Sequence, residues 1–263
     1  LITGTYKGSI PIRLLIDSLD KQLFRNFELI IIDQSEDNLT KDVVRKYQAK
    51  VNFKIIYKKI KIKGLSIARN IGIEMSSGDV LGFPDDNCQL KHNTLEQVKI
   101  LFNTYSVDGI IGTEDPLQKK ISRNNINKKN FYFYSNSNTL YVKKNSFKFD
   151  EKFGVGQYFG SNEDADYIYL MITNKMKIKF ISSLSVIHQT DDYNELQIGK
   201  VFSYGLGFGA FCKKNDLFGL FLLVVIYQVS MMLLSFVKCD FSISIKRYIA
   251  IKSRLKGYYE FSI

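Results

Sequence analysis

The chain has 263 residues, 45% of them hydrophobic, which provides enough apolar side chains for a packed core and excludes a globally disordered protein. Its three cysteines are few and widely spaced, which excludes a disulfide framework and a cysteine-based zinc site and favours a reducing compartment. The formal net charge of +11 indicates an anionic partner, such as nucleic acid, anionic lipid or a phosphorylated substrate.

The first 85 residues alternate between helical and strand patterns. They open without a basic segment followed by an apolar one, so we expect no signal peptide and a trimmed N-terminus. The run 27–32, apolar apart from Glu28, ends at Asp33 and is typical of a buried parallel strand. This alternation predicts an α/β fold with a doubly wound sheet, in which ligands bind at the carboxyl ends of the strands. Further helices are predicted at 9–24, 39–47 and 65–76, and further strands at 53–57 and 80–83.

The stretch 78–90 places polar side chains directly after one of these strands. Pro84 interrupts the apolar run, and Asp85, Asp86 and Asn87 follow it. Pro, Asp and Asn are typical turn residues, whereas closely spaced carboxylate and amide oxygens suit a divalent metal such as Mg²⁺ or Mn²⁺. Because Asp33 also ends a strand at the same predicted edge, the metal interpretation is favoured.

The second half of the chain predicts more elements of the same sheet and one basic loop. Residues 115–135 are polar and irregular, and we expect either a mobile basic loop that approaches an anionic acceptor or a solvated charged loop. Glu163 and Asp164 open a helix, where carboxylates favour the positive end of the dipole. His188 ends a strand and is either a metal ligand or a structural residue. A helix is also predicted at 94–102, and strands at 109–112, 138–142, 177–181 and 186–188.

Acidic residues at three separate positions need a common chemical explanation. A metal held by one cluster would neutralise a diphosphate, and a separate carboxylate would take the proton of an incoming hydroxyl group. This arrangement is typical of group transfer from a nucleotide.

Short motifs along nearly the whole chain resemble the family 2 glycosyltransferases, which have the GT-A fold. The resemblance is greatest to the branch that builds capsular and other surface polysaccharides. Each fragment is weak alone, but together they occur in the expected order. They are residues 3–6, Ser18, Leu19 and Gln22, residues 28–35 with Asp37, residues 64–72, Gly78 and Asp79, residues 83–88, residues 149–151 with Gly154, residues 163–166, and His188.

The resemblance implies a nucleotide-sugar donor whose diphosphate is bound with a divalent metal, Mg²⁺ or Mn²⁺. The stretch 85–87 stands where the family's Asp-X-Asp motif binds both groups. The implied donor contacts are Thr5, Asp33, Arg69, Asp85 and Asp86, and the implied metal ligands are Asp85, Asn87 and His188.

The resemblance also implies an inverting mechanism, in which Asp164, or alternatively Glu163, deprotonates the acceptor hydroxyl. Asn87 departs from the family pattern, since the last position of the motif is usually an aspartate that binds the metal directly. Asparagine keeps an oxygen ligand but loses a charge. The alternative is therefore a catalytically impaired nucleotide-sugar-binding or scaffold protein of the same fold. The intact pair of Glu163 and Asp164 argues against this alternative.

The segment 217–237 contains 21 residues without a charge, long enough as a helix to cross a hydrocarbon core of about 30 Å. The alternative is a buried core helix, but such helices are usually shorter. Basic residues flank both ends, which conflicts with a single crossing and favours a re-entrant or interfacial helix at an anionic cytoplasmic leaflet. We therefore expect association with the cytoplasmic face of the cell membrane and a lipid-linked or growing glycan as acceptor.

Together these patterns predict a GT-A domain at 1–212 and a membrane-associated helical segment at 213–263. The first would comprise a nucleotide-binding half at 1–114 and an acceptor half at 115–212, built on a Rossmann-like, mostly parallel sheet with helices on both faces. The predicted activity is metal-dependent transfer of a hexosyl-type sugar to a surface glycan. Nucleic acid is not expected as a partner, because the basic residues lack interleaved stacking aromatics and no helix-turn-helix or zinc pattern occurs.

Overall fold

The computed structural model of the protein describes residues 1–114, 123–188, 193 and 195–262. The chain divides into two compact units, Leu1–Phe149 with Tyr167–Gln189 and Asp150–Asp166 with Thr190–Ile263. The domain boundary predicted after residue 212 lies inside the helix Ile198–Lys214, which belongs wholly to the second unit.

A three-stranded parallel sheet begins the first unit. Its elements are β1 (Ile2–Thr5), α1 (Pro11–Asp20), β2 (Glu28–Asp33), α2 (Leu39–Gln48), β3 (Lys54–Lys59) and α3 (Leu65–Met75). The strand order is β1-β2-β3, and the register aligns Thr5 with Asp33 and Asp33 with Lys59. Residues 29–32 of the central strand are fully buried on both faces, which explains the continuous apolar run. The predicted strand-helix alternation is confirmed.

A second, mixed sheet completes the first unit. Its strands are β4 (Val80–Gly82), β5 (Gln89–Leu90), β6 (Gly109–Thr113), β7 (Arg123–Ile126), β8 (Leu140–Lys143) and β9 (Ile178–Ile187), and α4 (Thr94–Thr104) follows β5. The order is β4-β8-β6-β9-β5, with β7 also paired to β9. The pairing of β6 with β9 is parallel, whereas the pairings described for β4, β5, β7 and β8 are antiparallel. Since β9 is one continuous strand, it joins the two strands predicted at 177–181 and 186–188.

The basic loop predicted at 115–135 is described in part. Lys119 and Lys120 lie outside the described residues. The prediction of irregular structure is wrong for residues 123–126, which form β7 antiparallel to β9. The polar side chains of residues 123–126 do not indicate a strand, because these residues are ordered by backbone hydrogen bonds to β9.

The second unit contains the start of α5 (Glu163–Thr173), followed by α6 (Ile198–Lys214), α7 (Phe218–Val237) and α8 (Phe241–Glu260). Among the described helices, α7 alone is long and apolar enough to cross a membrane. Only 17% of its most apolar 18-residue window is buried, so α7 is not the buried core helix considered as the alternative.

Candidate functional site

The stretch 78–90 contains the predicted turn, and the turn directs its carboxylates. The Cys88 N–H donates to the Asp85 carbonyl oxygen at 3.1 Å, which closes a four-residue turn just after β4. Asp86 and Asn87 occupy its two central positions. The turn and the carboxylate cluster are therefore one feature at the carboxyl end of a strand.

Asp85 is held by a buried arginine. Arg69, on α3, is 2% exposed, and its Nη2 donates to Asp85 Oδ1 at 3.2 Å and to Ser137 Oγ at 2.8 Å. The Asp85 backbone N–H donates to Asn138 Oδ1 at 3.0 Å. Because charge-assisted hydrogen bonds fix geometry, Arg69 orients Asp85 and leaves its second oxygen on the side of His188.

His188 and Glu114 form a second pair at this edge. His188 Nδ1 lies 3.0 Å from Glu114 Oε1, and His188 Nε2 lies 3.8 Å from Asp85 Oδ2. Hydrogen bonding to Glu114 raises the pKa of His188, against the opposing effect of burial. Burial alone would raise the pKa of Glu114, but hydrogen bonds from His188 and from asparagine side chains outweigh it and hold that pKa below its usual value. When Nδ1–H donates to Glu114, the neutral imidazole carries its lone pair on Nε2, towards Asp85.

Asp85 Oδ2 and His188 Nε2 face each other across 3.8 Å. Ligand atoms about 2.1 Å from an octahedral ion lie about 3 Å apart at neighbouring positions and about 4.2 Å apart at opposite ones, so the two atoms would have to approach each other by about 0.8 Å to occupy neighbouring positions on one ion. Glu114 has the position of the outer carboxylate that orients a metal-bound histidine. No three His, Cys, Asp or Glu side chains converge on a complete metal site within the described ranges. Asn87 is half-buried in the turn, and its role as a ligand stays a prediction.

Asp86 has a different partner from Asp85. The Thr5 hydroxyl, at the end of β1, donates to Asp86 Oδ2 at 2.5 Å. Gly8 lies against this pair, and a β-carbon there would overlap both the Thr5 hydroxyl and the Asp86 carboxylate. Burial raises the pKa of Asp86 to about 6, with repulsion from Asp85 adding to the effect and the Thr5 hydrogen bond opposing it. Two of the predicted donor contacts thus lie together.

Asp86→Asn is expected to stabilise the metal-free protein, and more at about pH 7.5 than at about pH 5. The folded-state pKa of Asp86, about 6, exceeds the reference value of 3.8. The folded protein therefore binds more protons than the unfolded chain between these values, so the wild-type protein loses stability as the pH rises through them, whereas an amide does not ionise. Urea unfolding at both pH values measures the difference, and a gain that is equal at both, or larger at the lower pH, would contradict the expectation.

Asp33 ends β2 of the three-stranded sheet and is fully buried. Its Oδ1 accepts the Ser35 N–H at 2.9 Å, and its Oδ2 accepts the Tyr57 hydroxyl at 2.6 Å. Burial and this hydrogen bond raise the pKa of Tyr57. These contacts fix the turn after β2, and the predicted contact of Asp33 with a nucleoside stays a prediction.

In the second unit, Glu163 and Asp164 occupy the first turn of α5, as predicted. Asp164 Oδ1 accepts the Ala165 N–H at 2.7 Å, and Glu163 is buried. Their carboxylates lie near the positive end of the helix dipole. Their catalytic roles stay predictions.

Asp166, in the same turn, anchors α5 to the end of α6. Its carboxylate accepts Lys214 Nζ at 2.7 Å and Asn215 Nδ2 at 2.9 Å, and Lys214 Nζ also lies 2.8 Å from Asp150 Oδ2. Burial raises the pKa of Asp166, and the ion pair with Lys214 opposes that rise. This cluster, Asp150, Asp166 and Lys214, holds the helix turn that carries Asp164.

The sequence agrees with one known family over more than half of the chain. Residues 1–166 match the family described as Glycosyl transferase family 2. The chain belongs to glycosyltransferase family 2.

Curated relatives of this family 2 chain are larger proteins. It is 25% identical over 197 residues to the minor teichoic acid biosynthesis protein GgaB of Bacillus subtilis (strain 168), covering 67% of this chain and 21% of that protein. It is 26% identical over 113 residues to the poly(ribitol-phosphate) beta-N-acetylglucosaminyltransferase TarS of Staphylococcus aureus (strain Mu50 / ATCC 700699), covering 42% of this chain and 20% of that protein. The matched segments therefore span about a fifth of the length of these relatives.

Solved structures share the fold of this family 2 chain. The crystal structure of S. aureus TarS 1-349 aligns with a TM-score of 0.60 and 17% identity, covering 100% of this chain and 93% of that chain. The mannosyltransferase PcManGT from Pyrobaculum calidifontis, in complex with GDP-Man and Mn2+, aligns with a TM-score of 0.61 and 11% identity, covering 100% and 75%. The predicted GT-A type α/β fold is confirmed.

Sequence reasoning missed three residues that support the family 2 site. Ser137 contacts Arg69, and Asn138 Nδ2 donates to Glu114 Oε1 at 2.7 Å. Glu114 directly follows β6, so the rule that singled out Asp33 and Asp85, a carboxylate after a predicted strand, would have found it. The two polar residues before β8 carry no comparable signal.

Proposed function

We propose that this chain is an inverting glycosyltransferase that moves a sugar from a nucleotide-diphosphate donor to a hydroxyl group of a growing surface glycan. The observation that carries the proposal is the orientation of Asp85 by the buried Arg69, with His188 Nε2 3.8 Å from its second oxygen. A carboxylate and an imidazole held in this way at a strand end suit the diphosphate end of a donor. Thr5 and Asp86 adjoin them and would contact the same donor.

The nature of the donor is supported by the relatives that share the fold. TarS 1-349 has been solved in complex with UDP and with UDP-GlcNAc, and PcManGT with GDP-Man. We propose a nucleotide-diphosphate hexose or a related hexosyl sugar for this chain, with Asp33 and Arg69 as further residues on the donor side.

Asp85 and His188 would hold a divalent Mg²⁺ or Mn²⁺, with the side-chain oxygen of Asn87 as a third ligand. When bound, such an ion neutralises the charge that builds on the departing diphosphate. Two other side chains orient these ligands. Arg69 fixes Asp85, and Glu114 fixes the His188 ring through Nδ1. These supports keep both ligands oriented before a donor arrives.

Asp164 would be the general base, with Glu163 as the alternative. The acceptor hydroxyl attacks the anomeric carbon, the bond from that carbon to the diphosphate oxygen breaks, and the hydroxyl proton moves to the carboxylate. Displacement in a single step inverts the anomeric configuration. The position of Asp164 in an anchored helix turn supports the proposal, because Asp166 two residues later is tied to Lys214.

The acceptor would be a glycan of the cell surface, lipid-linked or growing, reached at the cytoplasmic face of the membrane. Support comes from the names of the relatives, since GgaB is a teichoic acid biosynthesis protein and TarS acts on poly(ribitol-phosphate). The exposed, apolar α7 supports association with a membrane.

The test is a screen of nucleotide sugars by thermal unfolding with and without Mn²⁺. A ligand that binds only the folded state at 100 times its Kd stabilises it by about 2.7 kcal/mol. We expect one nucleotide sugar to stabilise the protein in a Mn²⁺-dependent manner and to release its nucleotide diphosphate when a glycan acceptor is added. Failure of every nucleotide sugar to bind, whether Mn²⁺ is present or absent, would refute the proposal.

The second candidate is a catalytically impaired nucleotide-sugar-binding protein of the same fold. Asn87 favours it, because an amide replaces the charged ligand expected at the end of the motif. If a nucleotide sugar stabilises the protein in a metal-dependent manner but no glycan acceptor causes release of the nucleotide diphosphate, the result would support this candidate.

A further inference from the structure

The helices α7 and α8 lie antiparallel and side by side along their whole length. The rings of Phe221 and Tyr258 lie 4.4 Å apart, Arg247 Nη1 donates to Gln228 Oε1 at 3.0 Å, and the rings of Phe236 and Phe241 lie 5.6 Å apart. Gln228 is a buried amide in a mostly apolar helix, so it marks the face of α7 that packs on α8.

In turn, α8 is packed closely on α6. A β-carbon at Gly205 would overlap the Ser253 side chain, and one at Gly257 would overlap the backbone of Leu206. Gly209 has the same close approach to the α8 backbone. Since dense packing of this kind does not loosen gradually, α8 stays on α6. The helix α7 is joined to α8 by the two ring contacts and the hydrogen bond given above.

Much of the remaining surface of α7 consists of large apolar side chains, and four of them form a row. Leu222, Ile226, Leu233 and Val237 recur at helical spacing and are between 46% and 78% exposed. Leu223 and Leu234, about 100° around the helix from this row, are also exposed, by 62% and 45%. The row continues on α8 with Phe241, Ile245 and Tyr248, each more than half exposed. Soluble proteins rarely expose a contiguous apolar surface of this extent. The surface therefore indicates that a partner with an apolar interior covers it.

Basic side chains border this apolar row. Residues 213–260 contain eight Lys or Arg and three Asp or Glu. Lys252 and Lys256 are exposed on α8. An apolar face bordered by lysines and tyrosines is typical of a helix that lies between anionic headgroups and acyl chains.

We infer that α7 and α8 bind an anionic lipid surface as a pair lying in the plane of the interface, and that α7 does not cross the bilayer. A crossing by α7 would carry α8 with it, and the cationic Lys246, Arg247 and Lys252 would enter the hydrocarbon, where charges are strongly disfavoured. The inference rests on the membrane association proposed above and not on sugar transfer.

The absence of tryptophan from the chain permits a direct measurement of depth. Leu222→Trp, Ile226→Trp, Leu233→Trp and Val237→Trp each place one fluorophore on the exposed row of α7. The full chain is mixed with phosphatidylglycerol vesicles whose lipids carry bromine at known positions along the acyl chain. In-plane binding predicts that bromine near the headgroup quenches the fluorescence of all four tryptophans most, because such helices lie about 5–10 Å deep. The extent of quenching should agree within about twofold among the four variants. Ile100→Trp, exposed on α4 in the first unit, is the control and stays unquenched.

A crossing helix gives a different profile and would overturn the inference. Ile226→Trp would then be quenched most by bromine near the chain ends, while Val237→Trp would be quenched near a headgroup. Absence of quenching at all four positions would also overturn it, and dimerisation in solution would then assign the apolar row to a second copy. Donor binding is measured separately, so failure here leaves the proposed transferase activity standing.

A pair of charge variants tests the anionic part of the inference. Lys252→Gln combined with Lys256→Gln is expected to weaken sedimentation with phosphatidylglycerol vesicles about fivefold for each lysine removed. Lys46→Gln combined with Lys50→Gln removes the same charge from the first unit and is expected to leave binding unchanged. Equal loss in both double variants, or equal binding of the wild-type protein to phosphatidylcholine vesicles, would contradict a specific anionic surface.

Discussion

Asp164→Asn is expected to lower the turnover number about 10²- to 10⁴-fold while leaving the affinity for the donor within about twofold of wild type. Asparagine preserves the volume and can still accept the Ala165 N–H, but it cannot take a proton from the acceptor hydroxyl. Steady-state kinetics with a nucleotide-release assay give the first quantity, and thermal stabilisation by the donor gives the second.

Two comparisons make this experiment decisive. Glu96→Gln neutralises an exposed carboxylate in the first turn of another helix, α4, and is expected to retain full activity. Glu163→Gln tests the alternative base: if it removes activity and Asp164→Asn does not, the assignment moves to Glu163. If both variants keep wild-type turnover, neither carboxylate is the base.

Asp85→Asn is expected to abolish Mn²⁺-dependent stabilisation by the donor and to lower the turnover number about 10²- to 10³-fold. The substitution removes the charge that faces His188 and would hold the metal. It also removes the carboxylate bonded to Arg69, which is 2% exposed, so the free energy of unfolding should fall by about 1–3 kcal/mol. Calorimetric titration with Mn²⁺ and donor, together with urea unfolding, measures both effects.

Asp79→Asn is the matched control for Asp85→Asn. Asp79 is exposed and precedes β4, whereas Asp85 follows that strand. The control variant should bind donor and metal as the wild-type protein does. Retention of Mn²⁺-dependent donor binding by Asp85→Asn would show that Asp86 or another residue holds the metal.

The elements of the first unit were predictable where burial imposes a regular pattern. The run 29–32 is apolar throughout because this part of β2 is covered on both faces, and α1 shows its stripe because Ile12, Leu15 and Leu19 are buried. The site residues that end strands, Asp33 and Asp85, were found by the same logic.

Other features of the site depend on contacts between distant parts of the chain. Asn138 accepts a hydrogen bond from Asp85 through its oxygen and donates one to Glu114 through its nitrogen, and an asparagine at the start of a predicted strand gives no hint of either bond. Lys214 resembles any basic residue at a helix end, yet it ties Asp150 to Asp166. Such pairings depend on tertiary structure, which local patterns do not encode.

Under the proposed function, the glycine contacts between α6 and α8 would limit the length of glycan that the protein can extend. Because α8 is locked on α6, and Lys214 at the end of α6 is bonded to Asp166, a membrane-bound α7 and α8 would hold the first turn of α5 at a fixed height above the headgroups. Acceptor hydroxyl groups would reach Asp164 only when they project to that height. Under the proposed function, the protein would then select lipid-linked acceptors by their length.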